Sequence, residues 1–306
     1  MKRFSVSFAL ALLAALPVAA QQQHEPTFHV EVPLVNVFVS VTDKAGAPIG
    51  GLAKDDFQLF EDGKLQKIAV FERDTSAPLA IVLSVDLSGS TYKDFAAEQQ
   101  AAEHFAKDVL RPQDRADVVA FADGTREVTG FTGNPKRIAS GLSGLRPGTG
   151  GTAFYSSISL ASQLLNPEHG RRVLVVISDG DNTVNGVSYE DALDEAVRDE
   201  VMIYSIIDVP VAASAGRDLA GEHAMITLAE QTGGRAYYAD QASLDQIFHR
   251  IADDLRTQYL LGYYPQKRPA GDEGGFRSIT VKMSSVANSQ KYSVRNRPGY
   301  YADATR

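Results

Sequence analysis

Ile81-Val82-Leu83-Ser84-Val85-Asp86-Leu87-Ser88-Gly89-Ser90-Thr91 is the stretch on which the fold turns. Its first half, with Leu79 and Ala80 before it, is an apolar run with no polar face. That is the pattern of a parallel strand covered on both sides. Its second half carries a carboxylate and two hydroxyls spaced two residues apart, just before a segment that reads as a helix, Asp94 to Leu110. A strand that delivers Asp-x-Ser-x-Ser into a loop gathers hard oxygen atoms in a small volume, which suits Mg²⁺, Ca²⁺ or Mn²⁺.

Downstream, strands and helices alternate. Val118 to Phe121 and Arg126 to Phe131 flank Asp123-Gly124 as a hairpin, so one strand is expected at an antiparallel edge. Asn134 to Leu142 reads as a helix entered through a cap, with Pro135 in its first turn. A Gly148-Thr149-Gly150-Gly151 loop opens a helix from Thr152 to Leu165. Val173 to Ile177 is a second buried strand, ending at Ser178-Asp179-Gly180-Asp181. Helix Tyr189 to Glu200, strand Val201 to Ile207, helix Leu219 to Gln231, strand Arg235 to Tyr238 and helix Leu244 to Arg256 follow. Such alternation predicts a doubly wound, mostly parallel sheet.

On either side the hydrophobic period is two. Val35, Val37, Val39 and Val41 form one β-branched face, and Asp62-Gly63 marks a hairpin between Phe57 to Glu61 and a return strand Leu65 to Phe71. After Gln258, strands are expected at Tyr259 to Tyr264, Phe276 to Met283 and Lys291 to Arg295. Each flank is too short for a good core of its own. Since the ends of a domain tend to lie close together, the economical arrangement is one β-sandwich-like domain shared by both flanks, with the α/β domain inserted between them. The expected divisions are 1–20, a polar leader at 21–27, β segment 28–76, α/β domain 77–257 and β segment 258–302.

Residues 1–20 read as a secretory signal. Lys2 and Arg3 start it, the apolar core runs from Phe4 to Leu16, and Val18-Ala19-Ala20 precedes a plausible cleavage point. The run is shorter than the ~20 residues a span needs. The expectation is therefore an exported protein, periplasmic or extracellular, without a membrane span in the mature chain. The net charge of −8 argues against nucleic acid or an anionic membrane as the main partner. The absence of Cys excludes disulfides, thiolate metal sites and cysteine nucleophiles.

Ligands of an open parallel sheet bind beyond the carboxyl ends of its strands. Both Asp86 and Asp179 end strands at that rim, and the Gly-rich loop before Thr152 returns to it. Three loops thus bring together Asp86, Ser88, Ser90, Thr152 and Asp179, all oxygen donors, with no His or Cys to favour zinc. Asp181 and Asn182 are neighbours placed to tune the site.

The pieces Asp86-Leu87-Ser88-Gly89-Ser90, Gly150-Gly151-Thr152 and Val175-Val176-Ile177-Ser178-Asp179-Gly180 resemble, in order and placement, the von Willebrand factor type A family over roughly Pro78 to Arg256. The resemblance implies a metal-ion-dependent adhesion site. Ser88, Ser90 and Thr152 would ligate the ion through hydroxyls, Asp86 and Asp179 would balance its charge, and a protein partner's Asp or Glu would fill an open position. The outer segments, from Val39-Ser40-Val41-Thr42-Asp43 to Arg297-Pro298-Gly299-Tyr300, look like the acidobacterial VWFA-related proteins. Many family members carry an acid shortly after the Gly-Thr-Ala piece, where this chain has Ser156-Ser157, which leaves the choice between Mg²⁺ and Ca²⁺ open.

An enzyme is the rival class, and the expectation is that the chain is not one. An aspartyl phosphatase needs a second acid two residues after its nucleophile, and Ser88 stands there. A serine hydrolase wants a Gly-flanked elbow, which Leu87-Ser88-Gly89 lacks. His104, His169, His223 and His249 fall on separate elements. The other alternative is a periplasmic or cell-surface assembly factor that uses its β domain to add strands to a partner.

Overall fold

The alternating valines make β1 (Val35–Thr42), with Val35, Val37, Val39 and Val41 all buried. In the computed structural model, residues 34–73, 76–89, 95–148, 150–208, 219–239, 242–266 and 275–302 are described. Ser90 and residues 1–27, where a signal and a polar leader are expected, lie outside the described residues. A loop led by Lys54–Asp56 delivers β2 (Phe57–Glu61), and Asp62 and Gly63, both at positive φ, turn it into β3 (Lys64–Gln66). The return strand expected over Leu65 to Phe71 is in fact two strands. The chain leaves β3 at Lys67, buries Ile68 between the layers and enters β4 (Val70–Glu72) in a different sheet. The single apolar residue at Ile68 is the physical reason: its burial pulls the chain across the core.

The α/β part follows: β5 (Leu79–Asp86), α1 (Phe95–Val109), β6 (Arg115–Phe121), β7 (Thr125–Glu127), α2 (Pro135–Ser143), α3 (Phe154–Leu165), β8 (Arg171–Ser178), α4 (Tyr189–Arg198), β9 (Val201–Ile207), α5 (Leu219–Thr232), β10 (Ala236–Tyr238) and α6 (Leu244–Thr257). The sheet order is β10-β9-β8-β5-β6-β7, all parallel except the β6–β7 hairpin. Every residue of β5 is buried. Ile81, Leu83 and Val85 face one core with Phe105, Leu142, Phe248 and Leu255, while Ala80 and Val82 face the other with Phe154, Leu165 and Leu228. Asn134 caps α2 by accepting the Lys136 N–H at 3.0 Å. No helix among the described residues is long and apolar enough to cross a membrane.

The tail contributes β11 (Tyr259–Tyr263), β12 (Phe276–Met283), the short helix α7 (Val286–Lys291), β13 (Ser293–Arg295) and β14 (Gly299–Tyr301). Strand β14 and helix α7 were not expected; the helix is a single polar turn and a half with no apolar stripe to announce it. One four-stranded sheet runs β13-β1-β11-β4, so tail and head strands alternate across it. The other runs β14-β12-β2-β3. Their inner faces share one core of Val37, Leu59, Tyr259, Leu261, Ile279 and Val281. The class is therefore the expected one, a mostly parallel α/β sheet held between β segments that pair as a sandwich.

The two layers belong to one compact unit, residues 33–306, and the seam between them is polar. Arg295 of β13 forms an ion pair with Asp254 of α6 and donates to Gly233 O at 2.9 Å. Asp254 in turn accepts the Tyr204 hydroxyl at 2.6 Å, and burial together with the Asp254 charge holds that phenol well above its ordinary pKa. The sandwich meets the end of the parallel sheet where β8 and β9 begin. The rim where they end faces away from it.

Candidate metal centre

Strand parity places the central acid. Ser84 and Asp86 follow Ala80 and Val82 on the face covered by α3, and Ser178 follows Leu174 and Val176 on the same face of the neighbouring strand. The side chains of Asp86 and Ser178 therefore meet. The Ser178 hydroxyl donates to Asp86 Oδ2 at 2.7 Å, and the Ser88 N–H donates to Asp86 Oδ1 at 2.8 Å. Asp86 has no exposed surface, and Ser88 and Thr152 are nearly as deep. Asp179 is half-buried.

Backbone contacts stitch the three loops into one rim. Leu87 O accepts from Gly148 N at 2.7 Å, which fastens the first loop to the Gly-rich one. Thr152 O accepts from Thr183 N at 3.0 Å and Val184 N at 3.2 Å, and Thr152 N donates to the Thr183 hydroxyl at 2.7 Å. Asn182 Oδ1 accepts the Tyr155 N–H at 3.2 Å, tying the first turn of α3 to the loop after β8. Of the five expected site residues, Asp86, Ser88, Thr152 and Asp179 stand on these joined loops, and Ser90 lies outside the described residues.

Two residues that reading the sequence missed belong to the rim. Ser178 is the direct partner of Asp86; its signal was the parity of Leu174, Val176 and Ser178, but only the β5–β8 register reveals whom it meets. Asp123, in the β6–β7 turn, accepts the Gly151 N–H. A Cβ at Gly150 would stand 2.1 Å from its Oδ2, so the missing side chain there is what lets the Asp123 carboxylate lie against the loop that carries Thr152. Gly180 is equally constrained. Its φ is +83°, and a Cβ would come within 2.6 Å of the Gly221 carbonyl at the start of α5. Gly180→Ala is expected to cost about 2–3 kcal/mol in urea unfolding; a loss below about 0.5 kcal/mol would mean that α5 gives way freely.

The electrostatics suit a cation. Burial is the largest cause pushing the Asp86 carboxyl up to about 6, and the nearby Asp179 charge adds to it. The hydrogen bonds from Ser178 and Ser88 oppose the rise but do not cancel it. Two carboxylates held close in a low-dielectric rim destabilise each other unless positive charge lies between them. Among the described residues no three His, Asp or Glu side chains form a metal-holding group. A site here rests on two acids completed by hydroxyls, a hard-oxygen set that fits a small divalent ion.

Residues 81–182 match the family model of the von Willebrand factor type A domain. No curated protein matches the chain. Among solved structures, proximal thread matrix protein 1 from the mussel byssus, with a zinc-occupied MIDAS motif, is 16% identical over 65% of this chain and 50% of its own, with a TM-score of 0.52. BatB from Bacteroides thetaiotaomicron is 17% identical over 58% of this chain and 100% of its own, at 0.47. The pilus adhesin SpaC from Lactobacillus rhamnosus GG is 12% identical over 83% of this chain and 48% of its own, at 0.49. At 16% identity the likeness to the byssus protein concerns the fold alone.

Proposed function

We propose that the von Willebrand factor type A domain at residues 81–182 docks a protein partner through a divalent ion, Mg²⁺ or else Ca²⁺ or Mn²⁺, held by Asp86, Ser88, Ser90, Thr152 and Asp179. The observation that carries this reading is the fully buried Asp86, set at the open rim beside a second carboxylate. A buried acid in that position is costly to the ion-free fold, which is what a residue kept for cation binding would show. Asp86 and Asp179 balance the charge, and Ser88, Ser90 and Thr152 complete the oxygen set through hydroxyls. Five protein oxygens, three of them neutral hydroxyls, fall short of the six or more that such an ion takes, so a bound ion supplies an electrophilic position for an Asp or Glu of the partner. Thr152 is held by its own backbone bonds to Thr183 and Val184, which leaves its hydroxyl available.

In this reading the site binds and does no chemistry, because Ser88 occupies the place where a phosphatase would hold its acid. The protein acts outside the cytoplasm, delivered by residues 1–20, in the periplasm or at the cell surface. The test is a pull-down from the native envelope with Mg²⁺, with EDTA, and with the Asp86→Ala chain. Partners retained with Mg²⁺ and lost in the other two arms are expected. An identical bound set in all three arms would overturn the reading. Direct calorimetry with Mg²⁺, Ca²⁺, Mn²⁺ and Zn²⁺ identifies the ion.

A further inference from the structure

At the opposite end of the parallel sheet from Asp86, the seam with the sandwich encloses a narrow cleft. Its walls include Phe38 of β1, Arg171 and Arg172 of β8, Glu200, Met202 of β9 and Arg297 before β14. Three arginines and one glutamate thus line it. We infer that this cleft binds a small oxyanion, a phosphate or carboxylate group, gripped between Arg171 of the α/β layer and Arg297 of the sandwich.

Two buried guanidinium donors on this cleft lack acceptors among the described residues. Arg171 is 4% exposed. Its Nη1 donates to Leu255 O and to Gln258 Oε1, but its buried Nε has no acceptor among the described residues. Arg297 repeats the pattern. Its Nη1 lies 2.7 Å from Glu200 Oε1 and its Nη2 donates to Asn36 O at 2.9 Å, while its buried Nε has no acceptor. Buried donors on charged groups are rarely left unmet. The Nε of Arg256 and Arg277 are unmet as well, but only Arg171 and Arg297 of the four line one cleft, where the described residues offer their Nε no acceptor.

The surrounding charges leave the cleft net positive, which suits an anion. Glu200 is engaged by Arg297. Asp114, whose charge also bears on Arg171, accepts the backbone N–H groups of Leu79 and Arg111 at 2.8 and 2.9 Å. Arg172 donates through Nε to Glu168 O and through Nη1 to Asp199 O, and adds a third positive charge. The remaining wall is mixed: Asn36, Gln231, Thr232 and Gln258 add polar groups, while the Arg171 guanidinium lies 5.8 Å from the centre of the Phe38 ring and Met202 is buried. A compact group with oxygens at one end matches this lining, and planar guanidinium forks suit carboxylate and phosphate alike. Such a ligand would touch both layers at once.

The test uses the full chain carrying Asp86→Ala, in EDTA, so that the rim plays no part. Thermal unfolding is followed against inorganic phosphate and against acetate at constant ionic strength set by chloride. Saturable stabilisation by at least one of the two is expected. Phosphate alone, acetate alone or both tells which form of the oxyanion the cleft takes. In Arg297→Gln the dissociation constant is expected to weaken at least about tenfold, with Arg297→Lys falling between. Stabilisation no greater than with chloride would overturn the proposal. So would a saturable response that Arg297→Gln leaves unchanged.

Discussion

Asp86→Asn will abolish divalent-ion binding and yet make the ion-free chain harder to unfold near neutral pH. The carboxyl has a folded-state pKa of about 6 against an ordinary 3.8, chiefly through burial. A raised folded value means that the protonated form is favoured by folding. The stability this group contributes is complete below about pH 3.8 and is lost as the pH rises through about 6. At pH 7 in chelator the chain therefore folds around a charged acid it would rather hold neutral. Asn keeps the acceptor for the Ser88 N–H and removes the charge; the Ser178 hydroxyl loses its acceptor, which offsets part of the gain. A net rise of roughly 1–2 kcal/mol is expected. Calorimetry of both chains in EDTA should show the gap opening from about pH 4 and complete by about pH 7. An Asn chain no more stable at pH 7, or one that still binds Mg²⁺, would remove Asp86 from the role assigned to it.

The second large effect lies in the sandwich. Glu61 of β2 and Arg277 of β12 form an ion pair, 4% and 9% exposed in their side chains. Arg277 also donates to Gln266 O at 2.9 Å. The phenols of Tyr263 and Tyr300 lie beside this pair, and burial, with the Glu61 charge, raises the pKa of both. Removing one member leaves the other charged and dry. Glu61→Ala is expected to cost about 3–5 kcal/mol in urea unfolding, while Glu61→Leu combined with Arg277→Met should recover most of it. Ion binding at the far rim should be unchanged in both. A single-variant loss under about 1 kcal/mol would mean that water reaches Arg277 and screens it.

Much of this was legible beforehand, for identifiable reasons. The run Leu79 to Val85, apolar but for Ser84, admits few environments and reads as a strand buried on both faces. Asp86, Thr152 and Asp179 could be grouped because parallel strands put all their carboxyl ends on one side. Ser178 and Asp123 escaped because their roles depend on register and on where a hairpin turn comes to rest. The break between β3 and β4 escaped because a period of two shows which face a residue takes but not which sheet the strand joins. The cleft at Arg171 and Arg297 joins residues from two layers, and no spacing along the chain foretells it.

The interleaving of β13-β1-β11-β4 also sets a timetable. Val70 to Glu72 find their partners at Leu260 to Gly262, roughly 190 residues later. On a ribosome adding about 5–20 residues per second, that is a wait of roughly 10–40 s. During that interval the amino-terminal strands have open edges and no core. The α/β part, whose contacts are nearer in sequence, can close first and bring residues 76 and 259 together, shortening the loop that the late strands must close. Folding order thus runs from the middle outward, and a truncation that removes Tyr259–Tyr263 leaves β1 and β4 without the strand that joins them.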